Sequence, residues 1–276
     1  MRMVRFALNH MVAPRLGHAA FFDLAGALGI DAIEIRNDLQ DVAILDGTPA
    51  ARIAEDARSR GLSVRSINAL QRFNEWSPVR AEEARALADY AAGCGAAALV
   101  LCPVNGGNWQ LADSARLSGL REALEGLAPI LEAAGIEGLV EPLGFPECSL
   151  RLKREAVDAI DDVGVSNRFR LVHDTFHHAV AGEAEIFPAR TGLVHISGVA
   201  DRSSPVSALR DPHRVLIGGD DRIDNIGQIR ALVAGGYQGY FSFEPFAKEI
   251  HEINDIEGAL RASLAYVDQE LRAAAA

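Results

Sequence analysis

Four short stretches decide how this chain is read: Gly138-Leu-Val-Glu141-Pro142, Leu171-Val-His-Asp174-Thr-Phe-His177, Leu193-Val-His195-Ile-Ser197 and Phe241-Ser-Phe-Glu244-Pro245. Each is an apolar run of one strand's length, and each ends in, or just before, a residue that binds metal ions well. Short apolar runs separated by longer amphipathic segments read as parallel strands buried on both faces. Polar residues at their C-terminal ends then face a common rim.

The same alternation extends over the whole chain. Further strands are expected at Val4–Leu8, Ala32–Arg36, Ser63–Ile67 and Ala98–Cys102, ahead of those at Gly138–Glu141, Phe169–Asp174, Leu193–Ile196 and Tyr240–Glu244. Amphipathic stretches lie between them at Ala19–Leu28, Arg52–Arg60, Arg80–Cys94, Ser114–Ala134, Lys153–Val163 and Ile223–Ala234, and Ile256–Leu271 closes the chain. Gly29, Gly61, Gly135 and Gly235 stand where glycine stops a helix. Eight strand-then-helix units in 276 residues, about 34 residues each, match a closed barrel better than an open doubly wound sheet. The expected fold is α/β, a (β/α)8 TIM barrel, as a single domain over residues 1–276 with no linker or internal repeat. The longest connection, from Ser197 to about Asp221, is long enough to read as a functional loop.

Composition removes several classes of function. Hydrophobic residues make up 49% and charged residues 24%, and the net charge is −11. An acidic chain without a Lys/Arg cluster repels a nucleic-acid backbone, so no nucleic-acid partner is expected. Cys94, Cys102 and Cys148 show no CxxC pattern, and a reduced, cytoplasmic protein is the simplest account. Arg5, Asn9 and His10 interrupt the start before an apolar leader develops. Tyr90–Ala112 is uncharged, but Pro103, Asn105, Asn108 and Gln110 break it into a helix end, a buried strand and a loop, so no membrane partner is expected. A homo-oligomer stays open.

In a (β/α)8 barrel the chemistry sits at the C-terminal strand ends. Glu141, Asp174, His195 and Glu244 would then converge from four consecutive strands. Clustered carboxylates beside a dry core need a compensating cation or protons. One such residue alone reads as a strand end meeting a helix N-terminus or an arginine, whereas four in succession read as a metal site. Three carboxylates and an imidazole without a thiolate suit a divalent ion, Mn²⁺ favoured, with Mg²⁺, Co²⁺ or Zn²⁺ as alternatives. His177, in the loop leaving the sixth strand, is expected to contact substrate. Asn68, Arg202 and Glu34 join it as substrate-binding candidates, Arg214 in the same long loop as Arg202 could likewise contact hydroxyls, and Glu34 has a structural contact to Arg36 or His10 as its other reading. His173 should point to the helix layer by strand alternation, and His178 to solvent. Phe73 and Trp76 are candidates for an apolar wall under a sugar ring. No P-loop, GxGxxG or GxSxG is present, and Gly218-Gly-Asp-Asp221 would repel a phosphate, which favours an unphosphorylated substrate.

At these residues the chain resembles the xylose-isomerase-like TIM-barrel superfamily of sugar isomerases, ketose 3-epimerases and AP endonucleases, and within it the inosose (2-keto-myo-inositol) isomerase branch. The resemblance is carried by Ile33-Glu-Ile-Arg36, Ile67-Asn-Ala-Leu70 with Phe73-Asn74, Glu141-Pro-Leu-Gly-Phe-Pro-Glu-Cys148, Asp174-Thr-Phe-His177, Val194-His-Ile196, Arg214-Val215 with Gly218, and Phe243-Glu-Pro-Phe246. It implies that Glu141, Asp174, His195 and Glu244 bind the metal, that Glu141 and Glu244 are the acid–base pair, and that His177 touches substrate. Two departures fall on the pocket rim: Ser197-Gly198 replaces acidic residues, and Ile217-Gly-Gly-Asp220 replaces a Pro-Gly-x-Gly turn.

The reading is therefore a divalent-metal-dependent isomerase of a small unphosphorylated keto-polyol, most simply an inosose, working by proton transfer through an enediolate. Inosose dehydratase, ketose 3-epimerase and hydroxypyruvate isomerase share that intermediate and are the alternatives. An AP endonuclease would need more than these eight histidines and a basic groove. A polyol-binding barrel without activity is the non-enzyme alternative, disfavoured by the presence of all four ligands.

Overall fold

The computed structural model describes residues 4–39, 44, 46–106 and 112–273. Eight strands form one closed, all-parallel barrel: β1 (Arg5–Asn9), β2 (Ala32–Arg36), β3 (Ser63–Gln71), β4 (Ala98–Cys102), β5 (Glu137–Val140), β6 (Phe169–Asp174), β7 (Thr191–Ile196) and β8 (Tyr240–Phe243). The ring closes where β1 pairs with β8, Arg5 opposite Tyr240 through Leu8 opposite Phe243. Around it lie α1 (His18–Ala27), α2 (Ala50–Ser59), α3 (Pro78–Cys94), α4 (Asp113–Ala134), α5 (Lys153–Asp162), α6 (Thr175–Ala181), α7 (Asn225–Ala234), α8 (Lys248–His251) and α9 (Ile256–Ala273). This is the single-domain (β/α)8 barrel expected from the sequence.

Strand alternation sorts each side chain. Phe6, Leu8, Ile33, Ile35, Phe241 and Phe243 face outward into the layer shared with the helices. Inward, small and branched residues such as Ala7, Ala32, Ala98, Val172 and Leu193 fill the barrel, with Tyr240 at its lower end. The guanidinium of Arg5 covers that ring at 3.9 Å and that of Arg65 at 4.9 Å. Higher up, on six of the eight strands, the inward residues turn polar: Asn9, Glu34, Glu141, Asp174, His195 and Glu244, all buried. The β2–β3 register skips a residue, Ile33 pairing with Val64 but Glu34 with Ser66. That skip turns Ser66 and Asn68 toward Glu34.

Two short helices differ from the sequence reading. His177 lies on α6 rather than in a loop, because Asp174 caps that helix by accepting the His177 N–H at 2.9 Å. The second is α8, a single turn after β8. Gly29, Gly61 and Gly135 take the left-handed backbone (φ +64°, +69° and +70°), but after α7 it is Gly236 (φ +93°), not Gly235, that does so. The long connection after β7 carries two 3₁₀ turns, Val206–Ala208 and Asp211–His213, and an antiparallel bridge between Gly198 and Val215. Asn108 and Gln110 lie outside the described residues. No helix among the described residues is long and apolar enough to cross a membrane.

Candidate metal centre

Four consecutive strands deliver the cluster. Glu141 follows β5, Asp174 ends β6, His195 lies in β7 and Glu244 follows β8. One donor atom from each lies within 4.8 Å of the others, and all four residues are buried. Donors around an ion at about 2.1 Å stand no more than ~4.2 Å apart, so the set closes on an ion with small side-chain movements. His195 Nδ1 is 2.8 Å from Glu141 Oε1 and 3.3 Å from Glu244 Oε2. Arg214 Nη2 bridges Asp174 Oδ2 at 2.6 Å and Glu244 Oε2 at 2.9 Å. The donor set, three carboxylate oxygens and one imidazole nitrogen, fits a divalent cation.

Within the chain itself, arginines and the imidazole offset the clustered carboxylates. Burial opposes a charge on His195, but Glu244, Glu34 and Glu141 outweigh it and hold the ring well above the usual histidine range. Burial would raise Glu244, yet His195, Arg214 and Arg36 hold it well below the usual carboxylate range. Glu244 is also the most heavily tied carboxylate: Oε1 accepts from Arg36 Nη1 at 2.8 Å and from Asn9 Nδ2 at 3.1 Å. Arg36 is in turn fixed by two hydrogen bonds to Asp38, at 2.8 and 2.7 Å.

Glu34 does not bind in the cavity, as the sequence suggested, nor does it pair with Arg36 or His10. It is fully buried beneath His195, whose Nε2 lies 3.1 Å from Glu34 Oε2. Ser66 Oγ and Asn68 Nδ2 donate to the same oxygen at 2.6 and 2.8 Å. Burial would raise the Glu34 pKa, but His195 lowers it below its ordinary value. His10 is structural, its Nε2 against the Leu16 carbonyl at 2.8 Å and its ring stacked on Phe21.

Above the cluster opens a cavity of about 390 Å³. Asn68 and His177 line it, as expected. The His177 ring stands edge-on to Phe145 at 4.9 Å, and its buried Nδ1 has no hydrogen-bond partner among the described residues. Arg202 is not there: it is exposed on the β7–α7 connection, 3.4 Å from the Asp220 carbonyl. Arg214, from the same connection, lines the cavity instead and is almost wholly buried. The apolar wall is Leu143, Phe145 and Phe246 rather than Phe73 and Trp76. Phe73 is packed in the core, and Trp76 leans on α4 beside Gly126. His173 faces the helix layer as alternation requires, its Nε2 2.9 Å from Gln228 Oε1. His178, expected in solvent, is half-buried with Nδ1 2.8 Å from Lys153 Nζ. Cys102, absent from the sequence-based site, closes the floor with its thiol 3.5 Å from Glu141 Oε2. Its place at the end of β4 was the available signal.

A closed parallel barrel with a buried carboxylate–imidazole cluster beneath a polar cavity defines a TIM-barrel protein whose strand-end residues could hold a cation. The chain belongs to the xylose isomerase-like TIM barrel family, which matches residues 22–270. It is 27% identical over 234 residues to the inosose isomerase of Bacillus velezensis, covering 82% of each chain. A xylose isomerase domain containing protein of Salmonella typhimurium LT2 superimposes with a TM-score of 0.85 at 30% identity, over 99% of this chain and 98% of that one. The IOLI protein, solved with a binding zinc atom, gives a TM-score of 0.87 at 21% identity, over 98% and 99% of the two chains.

Proposed function

We propose that the protein is a divalent-metal-dependent isomerase of a small unphosphorylated keto-polyol, an inosose in the first instance, with Mn²⁺ as its ion. The observation that carries this reading is the convergence of Glu141, Asp174, Glu244 and His195 directly beneath the cavity. Family membership and the curated relatives support an isomerase or epimerase acting on a sugar or polyol. The cavity's buried arginines agree with a substrate lacking phosphate, because Arg36 and Arg214 are already matched to Asp38, Glu244 and Asp174.

When bound, a divalent ion polarises a substrate carbonyl and acidifies the neighbouring C–H. The chain's own groups then move the proton. Glu141 and Glu244 are the acid–base pair of this reading, and they are not equivalent. The Glu141 carboxylate meets His195 and the Cys102 thiol, whereas that of Glu244 meets Arg36, Arg214, Asn9 and His195. Glu141 is therefore the freer base to take the proton from carbon and, once protonated, the acid that returns it to the neighbouring centre, with Glu244 facing it as the second, more tightly held member of the pair. His177 Nδ1, buried and unpartnered, holds a substrate hydroxyl, and Asn68 a second. Phe145 and Phe246 keep water from the apolar side.

The test is turnover in D₂O. Purified protein is incubated with a panel of inososes, ketohexoses and hydroxypyruvate, with and without Mn²⁺, and followed by NMR. An isomerase places deuterium on the carbon next to the product carbonyl, in a metal-dependent reaction without loss of water. Formation of a diketone with loss of water assigns the dehydratase alternative to the same site. No exchange into any member of the panel refutes the enzyme reading.

A further inference from the structure

We infer that Glu34 is a positioning residue for the metal centre: it keeps hydrogen on Nε2 of His195 and so aims the Nδ1 lone pair at the ligand cluster. This rests on the metal-dependent reading above. Glu34 and His195 are each fully buried, and Glu34 does not line the cavity. The two ring nitrogens have different neighbours. Nδ1 faces Glu141 Oε1 at 2.8 Å and Glu244 Oε2 at 3.3 Å, on the side where Asp174 also stands. Nε2 faces Glu34 Oε2 at 3.1 Å, on the opposite side.

A neutral imidazole has one N–H and one lone pair, and an ionised carboxylate only accepts. With Glu34 on the Nε2 side, the N–H belongs there and the lone pair is left on Nδ1. A solitary carboxylate so deep in the barrel would be costly to bury. Ser66 Oγ and Asn68 Nδ2, at 2.6 and 2.8 Å, supply two of its donors and His195 the third. Both residues of β3 reach Glu34 because of the register skip between β2 and β3. Two neighbouring strands, β2 and β3, thus fix the angle of a ring carried by β7 across the barrel. A carboxylate on the far nitrogen of a ligating histidine also makes that ligand more basic, and losing it costs about 10–100-fold in metal affinity.

Two measurements on the whole protein test this. In Zn²⁺-loaded wild type, long-range ¹H–¹⁵N correlation of labelled histidine should show hydrogen on His195 Nε2 and the metal on Nδ1. Competition with a chromophoric chelator should show Zn²⁺ binding about 10–100-fold weaker in Glu34→Ala, with partial recovery in Glu34→Gln, which keeps an acceptor oxygen. Zinc bound through Nε2, or a folded Glu34→Ala variant that binds zinc as tightly as wild type, overturns the inference alone. The wild-type spectrum decides the matter even where the alanine variant does not fold. Failure of the wild type to take up zinc overturns this inference and the metal-centre reading together.

Discussion

Replacing Arg214 with methionine isolates the electrostatics of the centre from its packing. Methionine keeps most of the length that Arg214 lays over Phe176 and Phe246, but it removes the charge shared by Asp174 and Glu244. All three side chains are at most 4% exposed, so water does not substitute for the lost cation. Removing one partner of a buried pair costs about 3–5 kcal/mol, because the other charge stays behind uncompensated. For a chain of this length the unfolding entropy near the melting point is roughly 0.6 kcal/mol per kelvin, so the variant should melt about 5–9 °C below wild type. The assay is calorimetry at neutral pH in the presence of a chelator. Adding a divalent ion replaces the missing positive charge, and an ion at 100 times its Kd adds about 2.7 kcal/mol to the folded state. The gap between variant and wild type should therefore narrow with metal, and the variant should bind the ion more tightly. A variant that melts within ~1 °C of wild type in chelator would show that the buried charges are balanced some other way. A gap that metal leaves unchanged would show that Arg214 acts through shape.

The remaining expectations follow from the same cluster. His195 has a folded pKa raised well above its ordinary 6.5, Glu244, Glu34 and Glu141 outweighing the opposing effect of burial. Its charged ring thus stabilises the metal-free fold fully below about pH 6.5, and that contribution is lost as pH rises through the folded value. Melting temperature in chelator should fall as pH rises above about 6.5, and a flat profile there contradicts the linkage. Metal uptake must expel the same proton, so divalent-ion affinity should rise with pH in a competition titration. Glu141→Gln and Glu244→Gln each keep an oxygen ligand and remove a proton acceptor, and each should lower turnover by about 10²–10⁴. Wild-type turnover in both variants rules out the acid–base assignment.

The barrel and the ligand cluster were legible because both depend on strand parity. Once Leu139, Val172, Leu193 and Ser242 are placed on inward-facing positions, Glu141, Asp174, His195 and Glu244 must be inward too, one step higher. The misplacements come from features that parity does not encode. Arg202 and Arg214 lie on the same connection, and only the bridge between Gly198 and Val215 decides which one turns into the barrel. The skip between β2 and β3 redirects Ser66 and Asn68 by one residue, so Glu34 acquires partners that no pattern in β2 announces. The helix at Thr175–Ala181 is too short for periodicity to reveal, although Asp174 at its start is an ordinary capping residue. Phe73 and Trp76 follow β3 as a rim wall would, but the chain folds them into the helix layer, and Phe145 and Phe246 take their place.

The barrel divides its labour by halves, and this bears on how the site comes into being. All four donors come from the C-terminal half, while the groups that hold them in place include Asn9, Glu34 and Arg36 from the N-terminal half. Asn9 and Glu244 are 235 residues apart along the chain, and Arg36 and Glu244 are 208 apart. Contacts of that sequence separation form only after the entropy of a nearly chain-long loop has been overcome. The centre is complete, in consequence, only when β8 has found β1. A nascent chain emerging in order exposes Glu141, Asp174 and His195 before their fourth partner exists, with Arg214 close behind to pair with Asp174. An ion that needs all four donors would meet a ring already shut, and its binding would hold that ring closed.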